Sequence, residues 1–329
     1  MKKNQSKIGW CDFTFNTWRG CHKRSPGCQH CYAETLAKRA PKTLGTWGPN
    51  QPRVLAAKAM LASPHGWNRF TMMECPLCSR AHPCKTGETP KECESGCEGS
   101  RFRDLAAGFW IARRPRVFSA SMSDIGDEKV PDEWRNLLFN IVEQTPRLDW
   151  MLLTKEPENL HRYLIDLARR KQMTPKAMLA SPLRHVWIGV SAENQEMWDR
   201  RVKALASIPA SIRFVSCEPL LGPINTIELG LLSTAPNWII TGGESGRGAR
   251  PCEEAWQHQI ALNSKGWGAW VYQKQLGSHG RNPELNDLKG EKALSWKKPP
   301  IREHPKTGLE LDPRTGEDPR EQSREGELF

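Results

Sequence analysis

Short apolar runs that end in polar or glycine-rich turns recur along the chain: Arg116 to Ala120 (RVFSA), Trp150 to Thr154 (WMLLT), His185 to Val190 (HVWIGV), Arg213 to Ser216 (RFVS), Trp238 to Thr241 (WIIT) and Ala269 to Gln273 (AWVYQ). Each is rich in Val, Ile, Phe or Trp, side chains that suit a pleated surface, and each predicts a strand. Between them, Asp132 to Gln144, Pro157 to Arg170, Gln195 to Ser207 and Glu253 to Ser264 repeat apolar residues at helical spacing. Strands alternating with helices predict parallel β/α units. With Phe13 to Trp18 as a first strand, about six to seven units follow, which suits an α/β fold of the partial parallel (β/α) barrel kind. No GxGxxG turn is present to suggest a dinucleotide fold.

In barrels of parallel strands the chemistry gathers where the strands' C-terminal ends open into loops. Those ends are polar here: Ser119, Ser121 and Asp124; Thr154 and Lys155; Ser191 and Glu193; Cys217 and Glu218; Gly242, Gly243 and Glu244; Gln273 and Lys274. Taken singly, each reads as a cap or turn residue, since Ser, Asp and Glu are common where helices begin. Their recurrence on consecutive units is what marks a site.

Two stretches break the rhythm. Residues 71–101 are rich in Cys, Gly, Pro, Lys and Glu and read as a small insertion with no core of its own. From Gly277 the chain turns charged and rich in Pro and Gly, and its last part has the composition of a disordered tail. The expected organisation is therefore 1–70, the start of the barrel; 71–101, a Cys-rich metal-binding insertion; 102–277, the remainder of the barrel; and 278–329, a flexible tail.

Composition narrows the setting. The chain has 329 residues, enough for a sizeable core, and its 14 Trp argue against wholesale disorder despite an apolar share of 38%. No apolar run approaches a membrane span, and the start lacks a signal-peptide core, so a cytoplasmic protein with no membrane partner is expected. In a reducing compartment the 11 cysteines read as metal ligands or reactive groups rather than disulfides. The formal charge of +11 favours a polyanion, but no long Lys/Arg tract focuses it, so charge alone is equally explained by a basic, soluble surface.

The densest chemical feature is Cys21-HKRSPG-Cys28-QH-Cys31, three thiols within eleven residues on a Gly/Pro-containing loop. A closed zinc site would take a fourth ligand from His22, His30 or Cys11, whereas a 4Fe-4S cluster on three cysteines keeps one iron open. Spacing leaves both readings standing. A second group, Cys75, Cys78, Cys84, Cys93 and Cys97 with His82 nearby, suits a zinc knuckle that would fold the insertion, or an auxiliary iron-sulfur cluster. Cys11, Cys217 and Cys252 are isolated and read as core thiols.

The first cysteine group resembles the cluster loop of radical S-adenosylmethionine (SAM) enzymes, with a six-residue first gap in place of three and His30 in place of an aromatic. The chain is similar to the phage-encoded radical SAM-like family, largely of undefined function, in which the wider spacing is usual. The similarity is carried by TWRGCHKRSPGCQHCYAETLAKR, RVFSASMSDIGDEKVPDEW, LLTKEPENL, VWIGVSAENQEMWDRRV, RFVSCEPLLGPI, WIITGGESGRGARP and WVYQKQLG. This resemblance implies a barrel of radical SAM type with the cluster on Cys21, Cys28 and Cys31. It implies SAM bound at the open iron, a reducing electron donor, and a 5′-deoxyadenosyl radical. A phage protein would work in the host cytoplasm. Gly242, Gly243 and Glu244 resemble the segment that meets the methionine amine, although here it follows a late strand. Independently of the name, a bound sulfonium and ribose need carboxylate and hydroxyl partners, for which Ser121, Ser191, Glu218 and Glu244 are placed; His30, at the aromatic position of the motif, is a further cofactor-binding candidate. Glu218 and Lys155 are the candidates for a catalytic role.

The function expected is modification of a nucleic-acid base or modified nucleotide, as in phage DNA hypermodification, with Trp residues available to stack on bases. The alternatives are a radical enzyme acting on a small metabolite or protein, and a zinc-stabilised nucleic-acid-binding module without catalysis.

Overall fold

Alternation along the strands decides what each face of the sheet buries. One set of positions, Val117, Trp150, Leu152, Ile188, Val215 and Ile239, packs with Leu138, Leu160, Leu164, Trp198, Leu205 and Ile260 of the intervening helices. The interleaved set, Phe118, Met151, Trp187, Phe214, Trp238 and Tyr272, forms a separate cluster on the other face together with Trp10. A strand buried on both faces is the mark of a parallel sheet flanked by its own crossover helices.

The computed structural model describes residues 5–74, 81–85, 111–180, 183–230, 234–279 and 303–305. In chain order the strands are β1 (Phe13–Phe15), β2 (Trp18–Arg19), β3 (Val54–Leu55), β4 (Phe70–Glu74), β5 (Ala81–Lys85), β6 (Ile111–Arg113), β7 (Arg116–Ser119), β8 (Asp149–Thr154), β9 (Val186–Ser191), β10 (Ile212–Cys217), β11 (Trp238–Thr241) and β12 (Trp270–Gln273). Seven of them form one sheet in the order β1-β7-β8-β9-β10-β11-β12. Every pairing within it is parallel. The sheet curls into a half-barrel, a mixed α/β architecture compatible with a partial β/α barrel. The helices Asp132–Glu143, Pro157–Arg170, Gln195–Ala206 and Glu254–Gly266 lie close to the predicted spans.

The inner face is filled at its N-terminal end by aromatic rings. The Trp238 ring stands edge-on to Trp187 at 6.0 Å, to Trp10 at 6.3 Å and to Tyr272 at 6.4 Å. Gly189 makes room for this plug, since a Cβ there would lie 2.5 Å from the Phe214 ring. Further along the same alternation the inner-face residues turn polar: Lys155, Ser191, Ser216, Glu218 and Lys274 all line a cavity above the rings. A dry floor and a polar mouth thus come from one alternation read along the strands.

Ordered segments occur in both stretches that break the strand rhythm. Part of the stretch read as a coreless insertion is regular sheet: β4 pairs antiparallel with both β5 and β6, and Met72 and Met73 are fully buried. Cys84 sits on β5 opposite Thr71 and packs against Met73 and Ala112, while Cys75, Cys78, Cys93 and Cys97 lie outside the described residues. Within the stretch read as a flexible tail, Glu303 to Pro305 dock on the sheet: Glu303 N donates to Val271 O at 2.7 Å, and the His304 ring packs against Trp238 and Tyr272. Composition records polarity but not pairing partners distant in sequence, so neither segment was visible in it. Cys11, Cys217 and Cys252 are buried. Among the described residues no helix is long and apolar enough to cross a membrane.

Candidate functional site

The three cysteines of the N-terminal loop lie over the C-terminal mouth of the half-barrel, and salt bridges and hydrogen bonds from four strand-end loops hold them there. Arg24, between Cys21 and Cys28, reaches Asp127 at 2.9 Å and Glu156 at 2.9 Å, on the loops after β7 and β8. Asp127 is itself fully buried and takes Arg53 Nε at 2.7 Å. After β9, Glu193 accepts from Gly27 N at 3.0 Å and from the buried Arg201 at 3.0 Å. Burial opposes the Glu193 charge, but bonds from Ser25 and the field of Arg201 hold its pKa below the ordinary value.

The loop after β11 closes the other side. Glu244 accepts from Arg250 Nη2 at 2.5 Å and Nε at 2.9 Å, and its Oε2 lies 3.0 Å from His30 Nδ1. Arg250 Nη1 in turn donates to Pro26 O at 3.0 Å on the cysteine loop. Burial raises the Glu244 pKa, yet the bonds from Arg250 and His30 outweigh it and pull it down to about 2. Both Glu244 oxygens are therefore engaged within the protein. Gly243 is required by close packing, because a Cβ there would stand 2.2 Å from Leu276 O.

Beneath the loop lies a cavity of about 400 Å³. Cys21, Cys28, Cys31, His30, Ser121, Lys155, Ser191, Glu218, Gly243 and Glu244 all stand on its wall. Gly242 stands behind it, where a Cβ would come within 2.8 Å of Glu218 Oε1. Glu218 accepts from Trp10 Nε1 at 3.1 Å and Ser216 Oγ at 3.2 Å, and pairs with Lys274 Nζ at 2.8 Å. Lys155 Nζ donates to Ser191 Oγ at 3.2 Å. Burial lowers the Lys155 pKa, but the negative fields of Cys28, Glu193 and Asp124 raise it further, so the ammonium is retained. Asp124 is structural: it accepts from Thr154 Oγ1, from Gly126 N and from Lys155 N.

Burial, then the carboxylates Asp124 and Asp127, push the Cys21 thiol up to about 12, so binding a metal there displaces a proton. Of the residues considered as a fourth ligand, Cys11 is buried in the inner-face cluster and its thiol faces Ser6. His22 Nδ1 lies 3.1 Å from Arg53, and His30 Nδ1 meets Glu244. Among the described residues no three His, Cys, Asp or Glu side chains stand close enough around one point to hold a single ion. A cubane cluster takes each thiolate on a different iron, so its ligands stand further apart, around a shared cavity. Three thiols on one cavity wall suit that arrangement.

Arg24, Arg53, Asp127, Arg201 and Arg250 did not stand out as functional in the sequence. The only signal was charge next to the motif: Arg24 inside the first cysteine gap and the acid pair of Ser123-Asp-Ile-Gly-Asp127.

A family model described as a protein of unknown function (DUF5131) matches residues 5–318. No curated protein and no solved structure matches the chain.

Proposed function

The chain belongs to the DUF5131 family, and we propose that this protein is a radical SAM enzyme, with a 4Fe-4S cluster on Cys21, Cys28 and Cys31, that modifies a nucleic-acid base or modified nucleotide. One observation carries the reading: three cysteines on a loop braced to four strand-end loops line one cavity at the mouth of a parallel half-barrel. When bound, the cluster would supply the electron that cleaves SAM to a 5′-deoxyadenosyl radical.

The protein's own groups do the rest. The Arg24, Glu193 and Arg250 braces fix the loop before any metal arrives, so little ordering remains to be done on binding. The Lys155 ammonium beside Ser191 and the Glu218 carboxylate beside Lys274 offer one cationic and one anionic handle to a zwitterionic ligand. The aromatic floor of Trp10 and Phe118 seals the cavity from below and keeps water out of its lower half.

Anaerobic reconstitution followed by iron and sulfide analysis, then reduction with SAM and assay for 5′-deoxyadenosine, tests the proposal. The expected result is about four irons per chain on this group and 5′-deoxyadenosine that disappears in Cys28→Ala. Zinc as the sole bound metal, with no 5′-deoxyadenosine formed, would overturn it in favour of a structural site.

A further inference from the structure

Much of the positive charge of this protein lies in the stretch of sequence that carries the cysteine loop, and Lys23 of that stretch stands on the cavity wall. Between Phe13 and Phe70 the sequence holds nine Lys and Arg against a single acid, Glu34, a local balance of +8 within a chain total of +11. The fold sorts these cations in two. Arg24 and Arg53 are committed to Asp127, and Arg19 is buried against Thr43 O and Met60 Sδ. Lys23, Lys38, Arg39, Lys42, Lys58 and Arg69 are exposed. The one acid among them is straddled by Lys23 and Lys38 at 3.6 Å each, so the exposed side chains of this segment keep a net positive charge.

An aromatic group stands in the same field. Tyr32 follows Cys31 directly, lines the cavity and is 56% exposed. Its hydroxyl donates to Ser121 O at 2.9 Å, which fixes the ring at the entrance instead of leaving it to swing in solvent. Trp47 lines the cavity beside it and is joined to the cysteine loop by a bridge to Cys21. Cations that track a backbone, with an immobilised aromatic face where a base would leave the strand, are the two parts of a single-strand platform. A base stacked and paired in a duplex cannot reach groups inside a cavity, so a base that reacts there has to enter unpaired.

We infer that the exposed cations from Lys23 to Lys58 form a binding surface for single-stranded nucleic acid, which crosses the cavity mouth and delivers one base past Tyr32. An anionic membrane or an acidic protein would use the same charge but has no need of a fixed ring at the entrance of a cavity. This inference names the substrate class for the site proposed above and rests on that reading for its chemistry, but not for the binding itself.

The test is fluorescence anisotropy of the full chain with a labelled single-stranded oligonucleotide over a range of salt. Engagement of five phosphates gives a log–log salt slope of about −3.5. The triple variant K38E/R39E/K42E, confined to exposed side chains, is expected to reduce the slope by about 2 and weaken binding at least tenfold at moderate salt. Tyr32→Ala should weaken a normal strand by about five- to a hundredfold while leaving an abasic strand nearly unaffected. Native affinity in the triple variant overturns the inference. So does equal affinity for duplex and strand, or anionic vesicles competing as well as the strand does. Because binding is read without SAM turnover, strand binding with no 5′-deoxyadenosine would sink the radical proposal alone. 5′-Deoxyadenosine without strand binding would sink this one alone.

Discussion

Asp127→Asn removes the charge at the centre of the bracing and leaves the shape of the side chain almost unchanged. In the native protein the Asp127 side chain is 0% exposed, with Arg53 at 2% and Arg24 at 9%. Removing one partner of a buried ion pair costs about 3–5 kcal/mol, because the other charge is stranded away from water. Arg24 keeps Glu156 at 2.9 Å, and Arg53 keeps the carbonyls of Gln51 and Gly48, which places the expected loss at the lower end, about 3 kcal/mol. Urea denaturation of the cluster-free protein, followed by tryptophan fluorescence, measures it. The cysteine loop should also open more readily, and about 3 kcal/mol corresponds to alkylation roughly a hundredfold faster. That labelling is read at Cys28 and Cys31, since the Asp127 charge itself perturbs the Cys21 thiol. A change under about 0.5 kcal/mol with unchanged labelling would refute the idea that charged braces position the loop.

Two further outcomes follow from the core. Gly189→Ala drives a Cβ to 2.5 Å from the Phe214 ring, so the aromatic floor must shift; a loss of about 1–3 kcal/mol is expected by denaturation, and a neutral variant would show the plug to be loosely packed. His185 is buried with Nε2 3.0 Å from Val142 O, and burial lowers its pKa from 6.5 to about 4. The unfolded chain then binds a proton below about pH 6.5 that the folded chain refuses until about pH 4, so this group's contribution falls as pH drops through that window. The full difference is about 3 kcal/mol, and His185→Gln should lose it; parallel stability profiles for the two proteins between pH 7 and 4 would exclude it.

The barrel was legible because its code is local. Trp238 to Thr241 and Pro157 to Arg170 match the predicted spans residue for residue, and other strand and helix ends differ by one or two positions, except the first strand, which stops at Phe15 and leaves Trp18 to β2. Alternation within each run also carried the division of faces, including the switch from Trp187 to Ser191 along one strand. What the sequence left unread is long-range. Arg250 meets Pro26 across 224 residues, and Arg24 meets Asp127 across 103, and no period or motif announces either contact. The small antiparallel sheet of β4 to β6 was hidden for the same reason, since β4 pairs with β6 some forty residues on and polar composition masked Met72 and Met73. The clustering of charge was visible in the sequence as one segment nearly empty of acids, although no single tract showed it.

The order of the strands has a consequence for how the site is born. The thiols are made before Glu244 and Arg250, which clamp their loop from more than two hundred residues further along the chain. At about 5–20 residues per second the gap is on the order of tens of seconds, during which the nascent cysteines are displayed without their clamp. Any ligand that needs the cysteine loop in its braced form therefore has to wait until the strand-end loop of Glu244 and Arg250 has been made.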